Sequence, residues 1–263
     1  MSNAVGRIAA TLGLLCFCLA GAGCSLGCTR EDESAALRQK TVDAVAALQQ
    51  DLELPKHFMT EEAPRTSEEF DPNRYFSVLD HLSMEPGYVL DYVYLYQGMG
   101  GLPILYARQA DQPAYRTYSD YVKAVGSEPS RSGYLEHVQV DGTAEGFFQF
   151  VALYIQGGQF YLFWHAGYND VAILCDRGAL EALFTSFDAW DLKLPDDVKK
   201  AARELELDPL VEFQDDTVLV QVVTFSKWVG FNREAYTISR SFPHKVLDQK
   251  VEIVIPYDCG IRF

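Results

Sequence analysis

The sequence has few basic residues for its size. Its 263 residues include 22 lysines and arginines against 37 aspartates and glutamates, which gives a formal net charge of −15. Proteins bind nucleic-acid phosphates through a basic surface, so this balance argues against nucleic acid as a partner. Apolar residues are not scarce. They make up 48% of the chain, and this excludes intrinsic disorder over most of its length.

Motifs with recognisable chemistry are absent from the sequence. The six cysteines and five histidines form neither a CxxC motif nor a spacing suited to zinc, and there is no GxSxG or HExxH motif. Residues 98–101 are rich in glycine, but a strand is expected after them and not the helix N-terminus that binds phosphate. We therefore expect no metal and no cofactor.

The N-terminal apolar run is too short to be a clear membrane span. It covers residues 8–24, whereas a spanning helix takes about 20 apolar residues, and glycines interrupt it. Arg7 precedes the run and small residues end it. A basic start, an apolar middle and a small-residue end are typical of a secretory signal peptide, which we predict over residues 1–23.

The end of this run resembles the processing site of bacterial lipoproteins, because Ala22 and Gly23 stand directly before Cys24. The resemblance implies that Cys24 carries the lipid, with Cys28 as the second choice. Several acyl chains, palmitate among them, would then anchor the protein to the cell membrane, or to the outer membrane of a Gram-negative envelope.

The sequence departs from the lipoprotein pattern at one position. Three places before the cysteine, that family usually has leucine, and here Gly21 stands there. Residues 20–22 also form an A-x-A cleavage signal, so secretion after ordinary cleavage stays open as the alternative.

An exported chain folds in an oxidising compartment, where cysteines pair. Cys175 and Cys259 lie in strand-like stretches of the mature chain and are candidates for a disulfide. The alternative is that both are buried thiols that behave as small apolar residues.

Hydrophobic periodicity predicts a single α+β domain over residues 33–263, behind a polar tether at 24–32. An amphipathic helix is expected over 33–52, followed by an extended surface connector over 55–87. The remainder alternates between strands with tight turns and short helical stretches. This pattern predicts a largely antiparallel sheet built from hairpins, with amphipathic helices packed on it.

A hairpin over residues 147–165 is expected to form the centre of that sheet. Its first strand, 147–155, is apolar on both faces, which is typical of a strand covered on both sides. Gly157 and Gly158 would close the turn, and a helix over 179–187 would pack on the hairpin.

The nearest approach to a catalytic cluster is His165 with Asp170 or Asp176. A histidine at a strand end could act as a general base oriented by one of these carboxylates. The alternative is an ordinary turn, because glycine, asparagine and aspartate are turn formers.

Tyrosines form the best candidate binding surface. Tyr92, Tyr94 and Tyr96 lie on one face of a predicted strand, and tyrosine combines an apolar ring with a polar tip. The alternative is that these rings belong to the core between sheet and helix.

Two hypotheses about function follow from the sequence. The first is a membrane-anchored envelope lipoprotein that is not an enzyme and binds an envelope protein or a glycan. The second is an exported hydrolase-type enzyme that uses His165 with Asp170 or Asp176.

Replacing Cys24 with serine tests the anchor. Because a hydroxyl cannot carry the thioether-linked lipid, Cys24→Ser should move the protein from the membrane fraction to the soluble fraction on an immunoblot. Cys28→Ser serves as the matched control and should stay with the membranes. A Cys24→Ser variant that remains membrane-bound contradicts acylation at this residue.

Overall fold

The computed structural model describes residues 28–126, 130–164, 171–188 and 193–260. Its helices are α1 (Cys28–Gln49), α2 (Tyr118–Val125), α3 (Ala144–Gln156), α4 (Arg177–Asp188) and α5 (Asp196–Ala202). Its strands are β1 (Leu82–Met84), β2 (Tyr88–Tyr96), β3 (Gly100–Gln109), β4 (Val138–Val140), β5 (Phe163–Trp164), β6 (Ala172–Leu174), β7 (Leu210–Phe213), β8 (Thr217–Ser226), β9 (Gly230–Ser239) and β10 (Val246–Pro256). Short 3₁₀ helices cover Lys56–Met59, Pro72–Ser77 and Gly133–His137.

The described strands form three antiparallel sheets. The largest has the order β10-β9-β8-β6, with β7 also paired to β8. A second sheet has the order β2-β3-β5, and β1 pairs with β4 alone. The combination of helices and antiparallel hairpins confirms the predicted α+β fold.

The large sheet separates two hydrophobic cores, because side chains alternate between its faces. Val218, Val220 and Val222 of β8 face a core that α1 and α3 complete. Val223 and Phe225 of the same strand face the second core, which α4 and α5 cover. Both faces of β8 are therefore buried, and this explains its nearly continuous run of apolar residues.

The prediction of a central hairpin over 147–165 is wrong, because the whole of its first strand, 147–155, belongs to helix α3. The hydroxyl of Thr143 caps this helix by accepting a hydrogen bond from the Gly146 N–H at 3.0 Å. Gly157 ends the helix and closes no hairpin. A continuous apolar run does not distinguish a fully buried helix from a fully buried strand, and α3 is buried on nearly every side.

Two neighbouring predictions change with it. The expected second strand is reduced to the two residues of β5, which pair with Gly100 and Gly101 of β3. Helix α4 packs in the second core, on the opposite face of the large sheet from α3. It therefore does not cover the element that the sequence assigned to it.

The connector over 55–87 is not an extended surface segment. It contains two of the 3₁₀ helices and β1, and Phe58, Phe70 and Tyr75 along it are buried in the first core. Its prolines and acidic residues suggested a loop, but the aromatic side chains between them supply apolar area that is buried. Helix α1 also begins earlier than predicted, at Cys28, within the expected tether, and it ends at Gln49.

Truncating Phe150 tests the position of α3. Its side chain is fully buried, so Phe150→Ala should lower the free energy of unfolding by about 3–5 kcal/mol, as measured by denaturant titration. The matched control is Leu37→Ala on α1, where the side chain is 56% exposed, and its effect should stay within about 0.5 kcal/mol. A loss below about 1 kcal/mol for Phe150→Ala would place this residue on the surface.

Candidate functional site

Two clefts lie along the outer edge of strand β3. One edge of β3 pairs with β2 over its whole length, whereas β5 pairs with the other edge only at Gly100 and Gly101. Among the described residues, no further strand continues this outer edge. The buried ring of Tyr134, from the 3₁₀ helix Gly133–His137, lines both clefts.

The first cleft, named the apolar cleft here, has a volume of about 640 Å³. Residues 100–105 of β3 form one wall, and the end of α3 and the turn between β8 and β9 form the others. Its polar side chains are Gln97, Arg131, Gln159 and Ser226, together with the hydroxyls of Tyr134 and Tyr154. Its volume is in the range of small-molecule sites, and its lining mixes polar and apolar side chains.

The second cleft, named the tyrosine cleft, has a volume of about 540 Å³. The rings of Tyr88 and His137 stack on one side, with centroids 4.1 Å apart and an angle of 18° between their planes. Tyr106, Tyr115 and Tyr121 form the other group, with Tyr106 4.7 Å from Tyr121 and 5.2 Å from Tyr115. Two groups of aromatic rings therefore line the cleft.

Hydrogen bonds hold these rings in place. Nδ1 of His137 lies 2.7 Å from a carboxylate oxygen of Glu85, and the Tyr115 N–H donates to the hydroxyl of Tyr106 at 2.9 Å. Burial raises the pKa of Tyr106 and of Tyr121. Both hydroxyls thus stay protonated and neutral near pH 7, where a phenol can both donate and accept.

An arginine pair brings positive charge to the tyrosine cleft. Asp91 is 3% exposed and accepts a hydrogen bond from Nε of Arg108 at 2.7 Å. Its other oxygen pairs with Arg65, whose guanidinium lies 4.1 Å from the centroid of the Tyr92 ring. Two cations thus share one carboxylate beside a cleft that Arg108 itself lines, and the Glu85 carboxylate lies against His137 of the same cleft.

The predicted tyrosine surface is wrong for two of its three residues. Tyr92 and Tyr94 are buried, and Tyr94 stacks on Phe58 at 4.3 Å and donates its hydroxyl hydrogen to the Tyr161 carbonyl at 2.8 Å. Tyr96 is half-buried and stacks on Phe163. This face of β2 is turned toward the first core, so the core alternative describes Tyr92 and Tyr94 correctly.

The other predicted site residues are not brought together. His165, Asp170 and Cys24 lie outside the described residues. Asp176 has a structural role, because its carboxylate accepts a hydrogen bond from the Ala179 N–H at 2.8 Å in the first turn of α4. Cys28 is the first residue of α1.

Cys175 and Cys259 are both free thiols in the structure, so the predicted disulfide is not present. Cys175 is 1% exposed, and its N–H donates to the side-chain oxygen of Gln39 on α1 at 2.8 Å. Burial raises the pKa of this thiol, and a thiol that stays protonated is a poor nucleophile. Cys259 is half-buried.

Within the described ranges, no group of three or more histidine, cysteine, aspartate or glutamate side chains is arranged to hold a metal ion. None of the described helices is both long and apolar enough to cross a membrane.

The structure forms a histidine–carboxylate pair that the sequence did not indicate. Nδ1 of His81 lies 2.6 Å from Oδ2 of Asp141, because β1 and β4 pair directly beside these two residues. Thr143, the cap of α3, donates to the other oxygen of Asp141 at 2.6 Å. No local spacing connects residues that are 60 positions apart, so only the strand pairing could have shown this contact.

The contact between His81 and Asp141 changes the pKa of both side chains. The hydrogen bond to Asp141 raises the pKa of His81, and the negative charges of Asp141, Asp80 and Glu145 add to this. Partial burial acts to raise the pKa of Asp141, but hydrogen bonds from Thr143 and His81 outweigh it and lower that pKa.

No protein-family model, curated protein or solved structure matches this chain.

The pH dependence of stability tests the His81–Asp141 pair. Since its folded-state pKa is raised, protonated His81 stabilises the fold below its unfolded pKa of about 6.5, and this contribution is lost as the pH rises through the folded value. The free-energy difference between the wild type and His81→Gln should therefore shrink by about 0.2–1 kcal/mol, the range for exposed ion pairs, from about pH 5.5 to 8.5.

The matched background is Asp141→Asn, which removes the first cause of the shift. In that background, adding His81→Gln should change the free energy of unfolding by nearly the same amount at every pH, as measured by denaturant titration. If the stabilisation by His81 still falls by the same amount between about pH 5.5 and 8.5 in the Asp141→Asn background, the raised pKa of His81 is due to Asp80 and Glu145, and the result contradicts the pairing with Asp141.

Proposed function

We propose that this protein is a lipid-anchored component of the cell envelope whose α+β domain binds a glycan in the tyrosine cleft without catalysing a reaction. The observation that carries the proposal is a cleft of about 540 Å³ that is lined by two groups of aromatic rings and by the planar polar side chains of Arg108, Gln109 and Gln112. The sequence-based hypothesis was a binding module for an envelope protein or a glycan; the cleft favours the glycan.

The chemistry of a sugar fits these walls. A pyranose ring has a face of C–H groups, which packs on a flat aromatic surface, and hydroxyls around its edge. The half-buried ring of Tyr88, backed by His137, offers such a surface. Gln109 and Gln112 carry amides that both donate and accept hydrogen bonds, and Arg108 carries a guanidinium fork.

The ionisable groups of the cleft support binding more than proton transfer. Among its described lining residues, the ionisable side chains other than tyrosine are Arg108 and His137. Arg108 is engaged by Asp91 and by the Gln112 carbonyl, to which Nη1 donates at 2.7 Å, and His137 is paired with Glu85. Arg108 keeps its proton and cannot act as a base. The Glu85 carboxylate fixes the orientation of His137, whose ring stacks on Tyr88 and forms part of the wall.

The proposed anchor is compatible with a site close to the envelope. Only residues 25–27 separate Cys24 from Cys28, where α1 begins. A lipid on Cys24 would thus hold the domain near the membrane surface, within reach of envelope polysaccharides.

Binding to a panel of immobilised oligosaccharides, chitotetraose among them, tests the proposal. The wild-type chain should bind at least one member of the panel. Tyr88→Ala should weaken that binding by about tenfold or more, since this equals the loss of about 1.4 kcal/mol and the variant removes the exposed ring. Tyr88→Phe should retain most of the affinity.

Tyr96→Ala is the matched control, because Tyr96 is also a half-buried tyrosine of β2 but lines neither cleft. Its affinity should stay close to that of the wild type. Binding that is unaffected by Tyr88→Ala but lost on Tyr154→Ala would assign the ligand to the apolar cleft. Absence of binding to every member of the panel contradicts the proposal.

A further inference from the structure

Strand β10 is an exposed edge of the large sheet. It is 11 residues long and pairs on one side with β9, and no other strand in the described part of the chain pairs with its outer side. Leu247, Val251 and Ile253 are each more than half exposed. A long uncovered edge can pair with another chain, and soluble proteins usually shorten, charge or cover such edges; β10 carries both charged and exposed apolar side chains.

The two faces of β10 differ in chemistry. Gln249, Val251 and Ile253 pair with Tyr236, Glu234 and Asn232 of β9, which are buried on the side of the first core. These positions of β10 therefore continue the core-side face of the sheet beyond the part that is covered. Asp248, Lys250 and Glu252 alternate with them and lie on the opposite face.

Two register shifts limit the part of β10 that can pair regularly with another strand. They fall between Val246 and Asp248 and between Ile253 and Ile255, and such irregularities bend a strand and disrupt further pairing. The straight segment that remains covers residues 248–253.

This segment is complementary to itself. Consider an antiparallel pair of strands related by a two-fold axis perpendicular to the sheet. Directly opposite residues lie on the same face of the sheet, so the axis must lie midway between the two copies of one residue, which then faces itself. An axis at Val251 places Lys250 opposite Glu252 of the second copy, twice. It also places Val251 opposite itself and Gln249 opposite Ile253, which gives five consecutive pairs within the straight segment.

Other axis positions are less favourable. An axis at Lys250 places lysine opposite lysine and Asp248 opposite Glu252, and an axis at Glu252 places glutamate opposite glutamate. Like charges directly opposite each other are destabilising. An axis at Gln249 places Asp248 opposite Lys250, but the pairing reaches the register shift after three pairs.

We propose that two copies of this chain associate through antiparallel pairing of their β10 strands, with the two-fold axis at Val251, so that the two large sheets become one. The charge pattern specifies the register. Glu252 already lies 3.9 Å from Nη1 of Arg233 on β9, so its carboxylate would be flanked by that arginine and by Lys250 of the second copy. The outer backbone groups of β10 would gain hydrogen-bond partners.

A cysteine at position 251 tests the axis. In an antiparallel pair, directly opposite Cα atoms are about 4.5–5.5 Å apart, which is within the range for a disulfide. Mild oxidation of the full chain carrying Val251→Cys should give a covalent dimer, with the 251–251 linkage identified by mass spectrometry of peptides.

Leu247→Cys is the matched control, because residue 247 is as exposed as residue 251 but does not face its own copy. It should give much less dimer, and wild-type chains, which contain Cys259, should give none through β10. Equal cross-linking of the two variants, or no 251–251 linkage, overturns the proposal.

Charge reversal tests the register independently. Glu252→Lys and Lys250→Glu should each weaken dimerisation by about tenfold or more, the equivalent of about 1.4 kcal/mol, when the mass in solution is measured by light scattering over a concentration series. The double variant Lys250→Glu/Glu252→Lys restores opposite charges at both pairs and should recover the wild-type dimer.

Recovery in the double variant distinguishes the axis at Val251 from that at Gln249, in which Asp248 would then oppose a glutamate. Thermal unfolding of each variant shows whether a loss of dimer is a loss of fold, and Glu206→Lys, at an exposed position far along the chain from β10, controls for the change in net charge. A wild-type chain that stays monomeric throughout the series, or a double variant that dimerises no better than the single variants, contradicts the proposal.

Discussion

The fold depends on covering α3, a helix with almost no polar face. Of its 13 residues, the run from Gly146 to Leu153 is buried without interruption. Such a helix is stable only if other elements cover every side. Helix α1, strands β7 and β8, and the short β1–β4 pair contact it from different directions, and the connector adds Phe58, Phe70 and Tyr75 to the same core. The arrangement of the chain around α3 follows from this requirement.

Burial of α3 also requires partners for the carbonyl groups at its C-terminal end. Side chains from three elements provide them. The hydroxyl of Tyr134 donates to the Leu153 carbonyl at 3.2 Å, Gln49 of α1 donates to the Gln156 carbonyl at 2.7 Å, and the hydroxyl of Tyr75 donates to the Gly157 carbonyl at 2.9 Å. Tyr134 also lines both clefts, so the residue that satisfies this carbonyl of the core is part of the candidate site.

Sequence periodicity identified the elements that have one distinct face or a long alternating pattern. Helices α1 and α4 overlap their predicted positions, 33–52 and 179–187. The pattern failed at α3, because a segment that is buried all round has no periodicity to read. It also failed at the tyrosine cleft, where Tyr88, Tyr106 and Tyr121 come from β2, β3 and α2. Residues from three elements meet only through the packing of the folded chain, whereas the regularly spaced Tyr92 and Tyr94 are part of the core.

The two proposed surfaces, the tyrosine cleft at β3 and the outer edge of β10, lie at strand edges that no helix covers completely. Helix α3 extends toward the edge of the large sheet through Tyr154, whose ring lies 5.5 Å from that of Tyr236 and whose hydroxyl donates to Gln249 at 3.3 Å. Beyond this contact, Val251 and Ile253 continue the same face without a helix above them.

The outer edge of β3 is left open in a similar way, because β5 pairs with only two of its residues. A core organised around one buried helix thus leaves two strand edges uncovered. At β3, rings and amides favour a small polar ligand, and at β10, alternating charges favour a second copy of the same strand.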